Sequence, residues 1–306
     1  MSHGKWAFII NPAAGNGKAS GFSDIINKMA ARFGVKHQLI KTKKKKHASD
    51  IASDLSAKGT DYIIAVGGDG TVSEVAAGVI GTGSTLGVVP AGSGNDFIPM
   101  LGYPESFSET EWKSLFRART IEMDVGECNG NYFINGMGFG IDAQIAADTQ
   151  ATAKERGGTG SYFRHIIKNL FLYREKPIRL LTKGKEQLTS CFIKTIGIGR
   201  RFGGGYRITD GAIANDGLFD ICTVDRLNLL QRLRLFPKVS KGKHIGDRKV
   251  DYFRTSSIEI ETEETVPYHL DGEVYFDRKF SVKILKRKLK VIFEPMGKHF
   301  FDIPSS

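Results

Sequence analysis

Val66-Gly67-Gly68-Asp69-Gly70-Thr71-Val72-Ser73-Glu74 lies between the apolar run Tyr62 to Val66 and a stretch of helical periodicity from about Thr71 to Val79. A strand that ends in consecutive glycines and opens into a helix lets backbone N–H groups approach an anion. No Cβ blocks the approach, and the helix start carries the positive end of the dipole. Asp69 is a residue type that orients Mg²⁺ or bound water beside phosphates. On its own the GGDG stretch equally describes an ordinary tight turn, and Glu74 an ordinary solvated helix residue.

Neighbouring segments repeat the pattern. Trp6 to Ile10 reads as a buried strand and runs into the glycine turn Asn11-Pro12-Ala13-Ala14-Gly15-Asn16-Gly17-Lys18. Phe22, Ile25, Ile26, Met29, Ala30 and Phe33 then recur at helical spacing. His37 to Ile40 reads as a strand and Ala48 to Ala57 as a helix. Leu86 to Val89 is a fourth strand, closed by Pro90-Ala91-Gly92-Ser93-Gly94-Asn95-Asp96. Such alternation predicts a parallel sheet with helices on its faces and ligands beyond the carboxyl ends of the strands. Three of the four strands end in glycine turns, which should converge on one site. The first turn is neither a Walker A nor a GxGxxG motif. Ser93 can donate to a phosphate. Asp96 can join Asp69 around a metal, although Asn95-Asp96 also suits a helix N-cap.

After about Asp124 short strands dominate, among them Tyr132 to Ile134, Cys191 to Ile196, Phe219 to Val224, Ser257 to Glu261 and Phe280 to Leu285. Helical stretches near Ser161 to Tyr173 and Leu227 to Lys238 interrupt them. The expected architecture is α/β + β. A three-layer α/β nucleotide domain over 1–124, rejoined by residues from about 292 to 306, precedes an antiparallel β-sandwich over 125–291.

The 306 residues carry a formal net charge of +11, which favours phosphate-bearing partners such as nucleotide, anionic membrane or nucleic acid. No nucleic-acid module appears, and the basic residues are not interleaved with a stacking platform, so nucleic acid is not an expected partner. Cys128, Cys191 and Cys222 form no CxxC pair, which points to a reducing cytosol. No run of about 18 apolar residues occurs, so membrane contact is expected to be peripheral. The run from Lys41 to Lys46 reads first as a solvated loop and second as a membrane contact. Basic clusters at Lys241 to Lys249 and Lys286 to Lys290 extend the second reading. There is no GxSxG motif and no cysteine beside an obvious base. His244 and His269 read as ordinary surface or turn residues, and Phe202, Tyr206 and Phe219 as core.

Asn11-Pro12 with Gly15, Gly67 to Thr71 and Gly92 to Asp96 resemble, in order and spacing, the diacylglycerol kinase catalytic-domain family. The likeness continues through Asp124-Val125-Gly126, Gly203 to Tyr206, Asn215 to Asp220 and Asp271-Gly272-Glu273, and leans toward the soluble bacterial branch. It implies a kinase that moves the γ-phosphoryl of ATP to a lipid hydroxyl, most simply that of diacylglycerol. The active site would lie in the cleft between the domains. By resemblance, Asn11, Pro12, Gly15, Thr42, Gly67, Gly68, Asp69, Gly70, Thr71, Val72, Ser73 and Ser93 bind ATP. Asp69, Asp96 and Asp124 hold Mg²⁺ and water near the transferring group. Glu273 accepts the lipid proton beside Asp271, and a structural Mg²⁺ sits in the sandwich domain on Asp216 and the carbonyls of Ile213 and Leu218. The expected location is cytoplasmic and peripheral to the inner membrane face, with a homodimer left open. Two departures stand out: Ala13-Ala14 replaces a frequent hydroxyl residue, and Ser73 a common asparagine. Another lipid acceptor, such as a sphingoid base or phosphatidylglycerol, is the alternative. An NAD-kinase-like enzyme would account for the GGDG turn only.

Overall fold

All five residues of Trp6–Ile10 (β1) are buried, as a strand covered on both faces requires. Around it the computed structural model, which describes residues 4–156, 160–182 and 185–303, folds in two compact units. The first comprises Met1–Val125, Ile213–Gly217 and Leu285–Ser306, and the second Gly126–Ala212 and Leu218–Ile284.

In the first unit, α1 (Phe22–Phe33), β2 (His37–Lys41), α2 (His47–Ala57), β3 (Tyr62–Gly67), α3 (Asp69–Val79) and β4 (Thr85–Pro90) alternate as the sequence predicts. β1 pairs in parallel with β2 and β3, and β3 with β4, giving the order β2-β1-β3-β4. Val291 pairs in parallel with Leu86, so the last strand of the chain extends this sheet. A further helix, α4 (Glu109–Arg117), was not anticipated. Its signal is a capping box in which Ser108 and Glu111 bond each other's backbone amides. Trp112 and Phe116 of α4 pack on β1, with Trp6 and Phe116 ring centroids 5.3 Å apart.

The second unit contains the end of β5 (Thr120–Cys128), then β6 (Asn131–Phe133), β7 (Gly136–Gly140), α5 (Ile141–Arg156) and α6 (Gly160–Leu172). It continues with β8 (Pro177–Thr182), β9 (Lys185–Gly197), β10 (Phe219–Asp225), α7 (Leu229–Val239), β11 (Val250–Thr255) and β12 (Ser257–Leu270). The first part of β13 (Glu273–Ile292) completes it. The strands form an antiparallel sandwich in the order β11-β10-β9-β7-β12-β13, and β8 joins β9 to β12. Ile141, Ile145, Ile166, Leu170 and Leu235 of the helices pack with Phe192, Cys222 and Val224 of the strands. Burial pushes the Cys222 thiol up to about 12, so it is an inert core residue. Phe202 and Phe219 are buried as expected, and His244 and His269 prove to be interior residues rather than surface ones.

Residues 213–217 and 285–291 belong to the first unit, a departure from the 125–291 span expected for the sandwich. One carboxylate accounts for much of this return. Asp124 is 1% exposed, and its Oδ2 accepts the Gly217 N–H at 2.6 Å while Oδ1 accepts that of Arg287 at 2.8 Å. Arg287 has φ 52, which turns its amide out of the strand ladder, so a side-chain acceptor must satisfy it. Asn215 also exchanges two hydrogen bonds with the Asp302 backbone. Burial pushes the Asp124 carboxyl up from its ordinary 3.8, an effect opposed by the two amides and by the Arg287 and Lys286 charges.

A raised folded pKa means that the native state holds this proton more tightly than the unfolded chain. This group's contribution to stability therefore falls as pH rises from 3.8 toward the raised value, and is flat above it. Asp124→Asn leaves one amide facing an NH₂ group. Urea denaturation should then show a loss of about 1–3 kcal/mol at neutral pH, and an unchanged midpoint would contradict the clamp.

Candidate active site

The glycine turns of the first unit do converge. A Cβ at Gly92 would lie 2.3 Å from the Cα of Gly68, and one at Gly15 would lie 2.4 Å from the Ala91 carbonyl oxygen. Both contacts are closer than any side chain permits, so glycine is required where the three turns meet. Backbone bonds from Asn11 N to Val66 O and from Ala91 N to Gly67 O lock the turns in register, and Asn11 Nδ2 donates to Thr71 Oγ1 at 3.0 Å.

At this junction α3 begins without a side-chain cap, and Gly70 faces open space. The first amides of the helix are therefore available to an anion. Beside them is a cavity of about 320 Å³, lined by Asn11, Pro12, Thr42, Thr71, Glu74 and the three exposed lysines Lys43, Lys44 and Lys45. Ser93 is exposed on the adjoining turn and Ser73 is half-buried. Val72 is only 2% exposed and packs in the core, so it offers a ligand no more than its main chain.

Glu74 is not a merely solvated helix residue. Its two oxygens accept the N–H groups of Lys46 at 2.9 Å and Ala48 at 3.2 Å. Lys46 stands at the start of α2 with φ 63, so this carboxylate caps α2 from a different helix. It thereby fixes the lysine loop beside the cavity, a role with no local sequence signature.

The three aspartates expected to share a metal have different surroundings. Asp69 is half-buried on the α3 turn, where Oδ1 accepts the Phe97 N–H at 3.1 Å. Asp96 is buried, and the Asp124 carboxylate is closed by two backbone amides. Among the described residues no three acidic, histidine or cysteine side chains cluster as metal ligands. Asp124 acts in this structure as a clamp on two backbone amides. Ile213 and Asp216 lie on the loop that returns to the first unit rather than in the sandwich, and Leu218 follows it. One carboxylate and main-chain oxygens form a hard donor set suited to Mg²⁺, and an ion held so sparsely would keep several waters.

In the second unit, Asp271 (φ 47) and Gly272 (φ 87) form a two-residue hairpin turn between Leu270 and Glu273, the geometry that Asp-Gly favours. The Asp271 carboxylate accepts the N–H groups of Ile134, Asn135 and Gly136 at 2.8–2.9 Å. Its carboxylate therefore anchors the hairpin turn that precedes Glu273. Glu273 stands half-buried at the start of β13. One residue before Leu270, His269 Nε2 approaches Asp142 Oδ2 at 3.5 Å over Gly138, where a Cβ would lie 2.0 Å from the ring nitrogen.

Residues 5–128 match the profile described as "Diacylglycerol kinase catalytic domain", and residues 135–293 that described as "YegS C-terminal NAD kinase beta sandwich-like domain". The chain belongs to the diacylglycerol kinase catalytic-domain family and is a lipid kinase. A Bacillus subtilis protein named "Diacylglycerol kinase" is 28% identical over 74% of this chain and 75% of its own length. A Chromohalobacter salexigens protein named "Probable lipid kinase YegS-like" is 32% identical over 77% of this chain and 76% of its own. A crystal structure from Bacillus anthracis str. Sterne superposes with a TM-score of 0.78 at 25% identity, covering 95% of each chain.

For this lipid kinase, Asp271→Asn should lower the melting temperature, because an amide cannot accept three N–H groups as a carboxylate does. The loss should be roughly 1.5–3 kcal/mol, and an unshifted melting curve would remove Asp271 from its positioning role. Glu74→Ala should cost about 1 kcal/mol through loss of the cap, read by urea denaturation.

Proposed function

We propose that this lipid kinase phosphorylates diacylglycerol, transferring the γ-phosphoryl of ATP to its free hydroxyl and releasing ADP and phosphatidic acid. The observation that carries the nucleotide half is the open α3 start beside a cavity bordered by three lysines and by Asn11, Pro12, Thr42 and Thr71. The acceptor is suggested by the Bacillus subtilis relative's name.

In this reading the backbone of Gly67 to Ser73, with Asn11, Pro12, Gly15, Thr42 and Ser93, holds the phosphates and ribose. Lys43, Lys44 and Lys45 offset their charge. Mg²⁺ accompanying the nucleotide would neutralise charge on the phosphate oxygens during transfer. Asp69, whose Oδ1 accepts the Phe97 N–H, would hold such an ion through water. Glu273 takes the proton from the lipid hydroxyl as its oxygen attacks phosphorus, and Asp271 keeps the hairpin in place by its three amide bonds. Among the described residues no helix is long and apolar enough to cross a membrane, which accords with substrate taken from a bilayer surface. Basic patches would hold the enzyme there.

Transfer of label from [γ-³²P]ATP should be measured against diacylglycerol, phosphatidylglycerol, sphingosine, ceramide, undecaprenol and NAD. Label on diacylglycerol supports the proposal, label on another lipid replaces the acceptor, and label on NAD alone overturns it. Glu273→Gln preserves shape but removes the base. The kcat should fall by about 10²–10⁴-fold while ATP affinity stays within about twofold, as expected for a group acting only in the transition state. Near-normal turnover would exclude Glu273 as the base.

A further inference from the structure

Exposed large apolar side chains concentrate on two helices of the second unit. They are Ile167 (41% exposed), Phe171 (52%) and Leu172 (67%) on α6, and Leu229 (42%), Leu230 (78%) and Leu233 (45%) on α7. On α6, Ile167 and Phe171 stand one turn apart, as do Leu229 and Leu233 on α7. The opposite sides are already used: Ile166, Leu170 and Leu235 are buried in the core of the unit. Core packing therefore does not explain the outward set.

Arg232 brings the two helices together. It is 7% exposed, donates to the Leu170 carbonyl and the Glu175 carboxylate, and lies over the Phe192 ring at 4.6 Å. Leu170 precedes Phe171 on α6 and Arg232 itself precedes Leu233 on α7, so this bond ties the two helices together beside their apolar sets. The border of these sets is basic. Arg164 and Arg174 flank the α6 set, where Lys168 pairs with Asp148 at 3.1 Å, and Arg226, Arg234 and Lys241 flank the α7 set, all of these basic residues exposed. From 160 to 174 and from 226 to 243 the sequence contains no acidic residue.

We propose that this α6–α7 surface is the face by which the enzyme lies on an anionic lipid bilayer. The apolar side chains would enter the headgroup–acyl boundary, with the arginines and lysines at the phosphates. The inference rests on the lipid-kinase reading for its choice of partner, and on the two helices for its location. Apolar residues flanked by Lys and Arg without acids are the pattern of helices that lie in a membrane interface. A second copy of this chain is a poorer occupant. A two-fold contact would oppose arginines to arginines around the rim, where like charges repel.

The test uses the full chain with sucrose-loaded vesicles, of phosphatidylcholine alone or mixed with phosphatidylglycerol. Wild-type protein should sediment with the mixed vesicles and be released as salt rises. The double variant Phe171→Glu/Leu230→Glu should lower the partition coefficient by about tenfold or more. Arg226→Glu/Arg234→Glu should do the same for mixed vesicles. Both variants should keep the wild-type melting temperature, because the altered side chains are exposed. Activity toward micelle-dispersed dioctanoylglycerol should also stay unchanged, so a failure of the kinase reading would show in that assay and not in sedimentation. Wild-type sedimentation by folded variants would overturn the proposal. So would a change from dimer to monomer by light scattering with vesicle binding intact, which would make the surface a self-interface.

Discussion

Gly68 and Gly92 approach until no Cβ can stand between them, and the rest of the first unit is arranged around that contact. It brings the ends of β3 and β4 together, and Gly15 draws in the end of β1 through the Ala91 carbonyl. Only then does the start of α3 have neighbours on one side and open space at Gly70 on the other. Parallel strands bring their carboxyl ends to one edge in any such fold. Here the absence of side chains converts that edge into a surface of backbone donors, and lysines supply the charge.

Several carboxylates that look catalytic by residue type act on the protein's own amides. Asp124 holds Gly217 and Arg287, Asp271 holds Ile134 to Gly136, and Glu74 holds Lys46 and Ala48. Each satisfies N–H groups that turn, cap or bulge geometry removes from regular hydrogen bonding, which would otherwise destabilise the fold. Asp69 sits on a turn fixed from Phe97, and Glu273 follows a hairpin whose tip is anchored three times over. Asp69 thus carries one such bond itself, whereas the turn before Glu273 is held by the Asp271 carboxylate.

The alternating first unit was legible because its strands are apolar throughout and its turns are glycine-rich, both local properties of the chain. The helix α5 was not, since Ala143, Ala146, Ala147 and Ala151 give it no sharp apolar stripe, and α4 was missed although its capping box is present at Ser108 and Glu111. At the site, Asn11, Pro12, Thr42 and Thr71 gather around one cavity, as motif order suggested. The duties of Glu74, Asp124 and Asp271 were not readable. Their partners are backbone amides remote in sequence, and every residue carries such an amide, so nothing in the chain marks which one a carboxylate will meet. The return of 213–217 to the first unit was hidden for the same reason.

Gly92 is the position at which the glycine junction's part in nucleotide binding can be tested. Titration calorimetry of ATP with Gly92→Ala, alongside the melting curve of the same variant, measures this directly. One methyl group must push the Gly68 turn away while leaving every proposed side-chain contact in the sequence. We expect a folded protein whose ATP affinity falls by about tenfold or more, about 1.4 kcal/mol. Wild-type affinity in folded Gly92→Ala would contradict the account and move the nucleotide elsewhere.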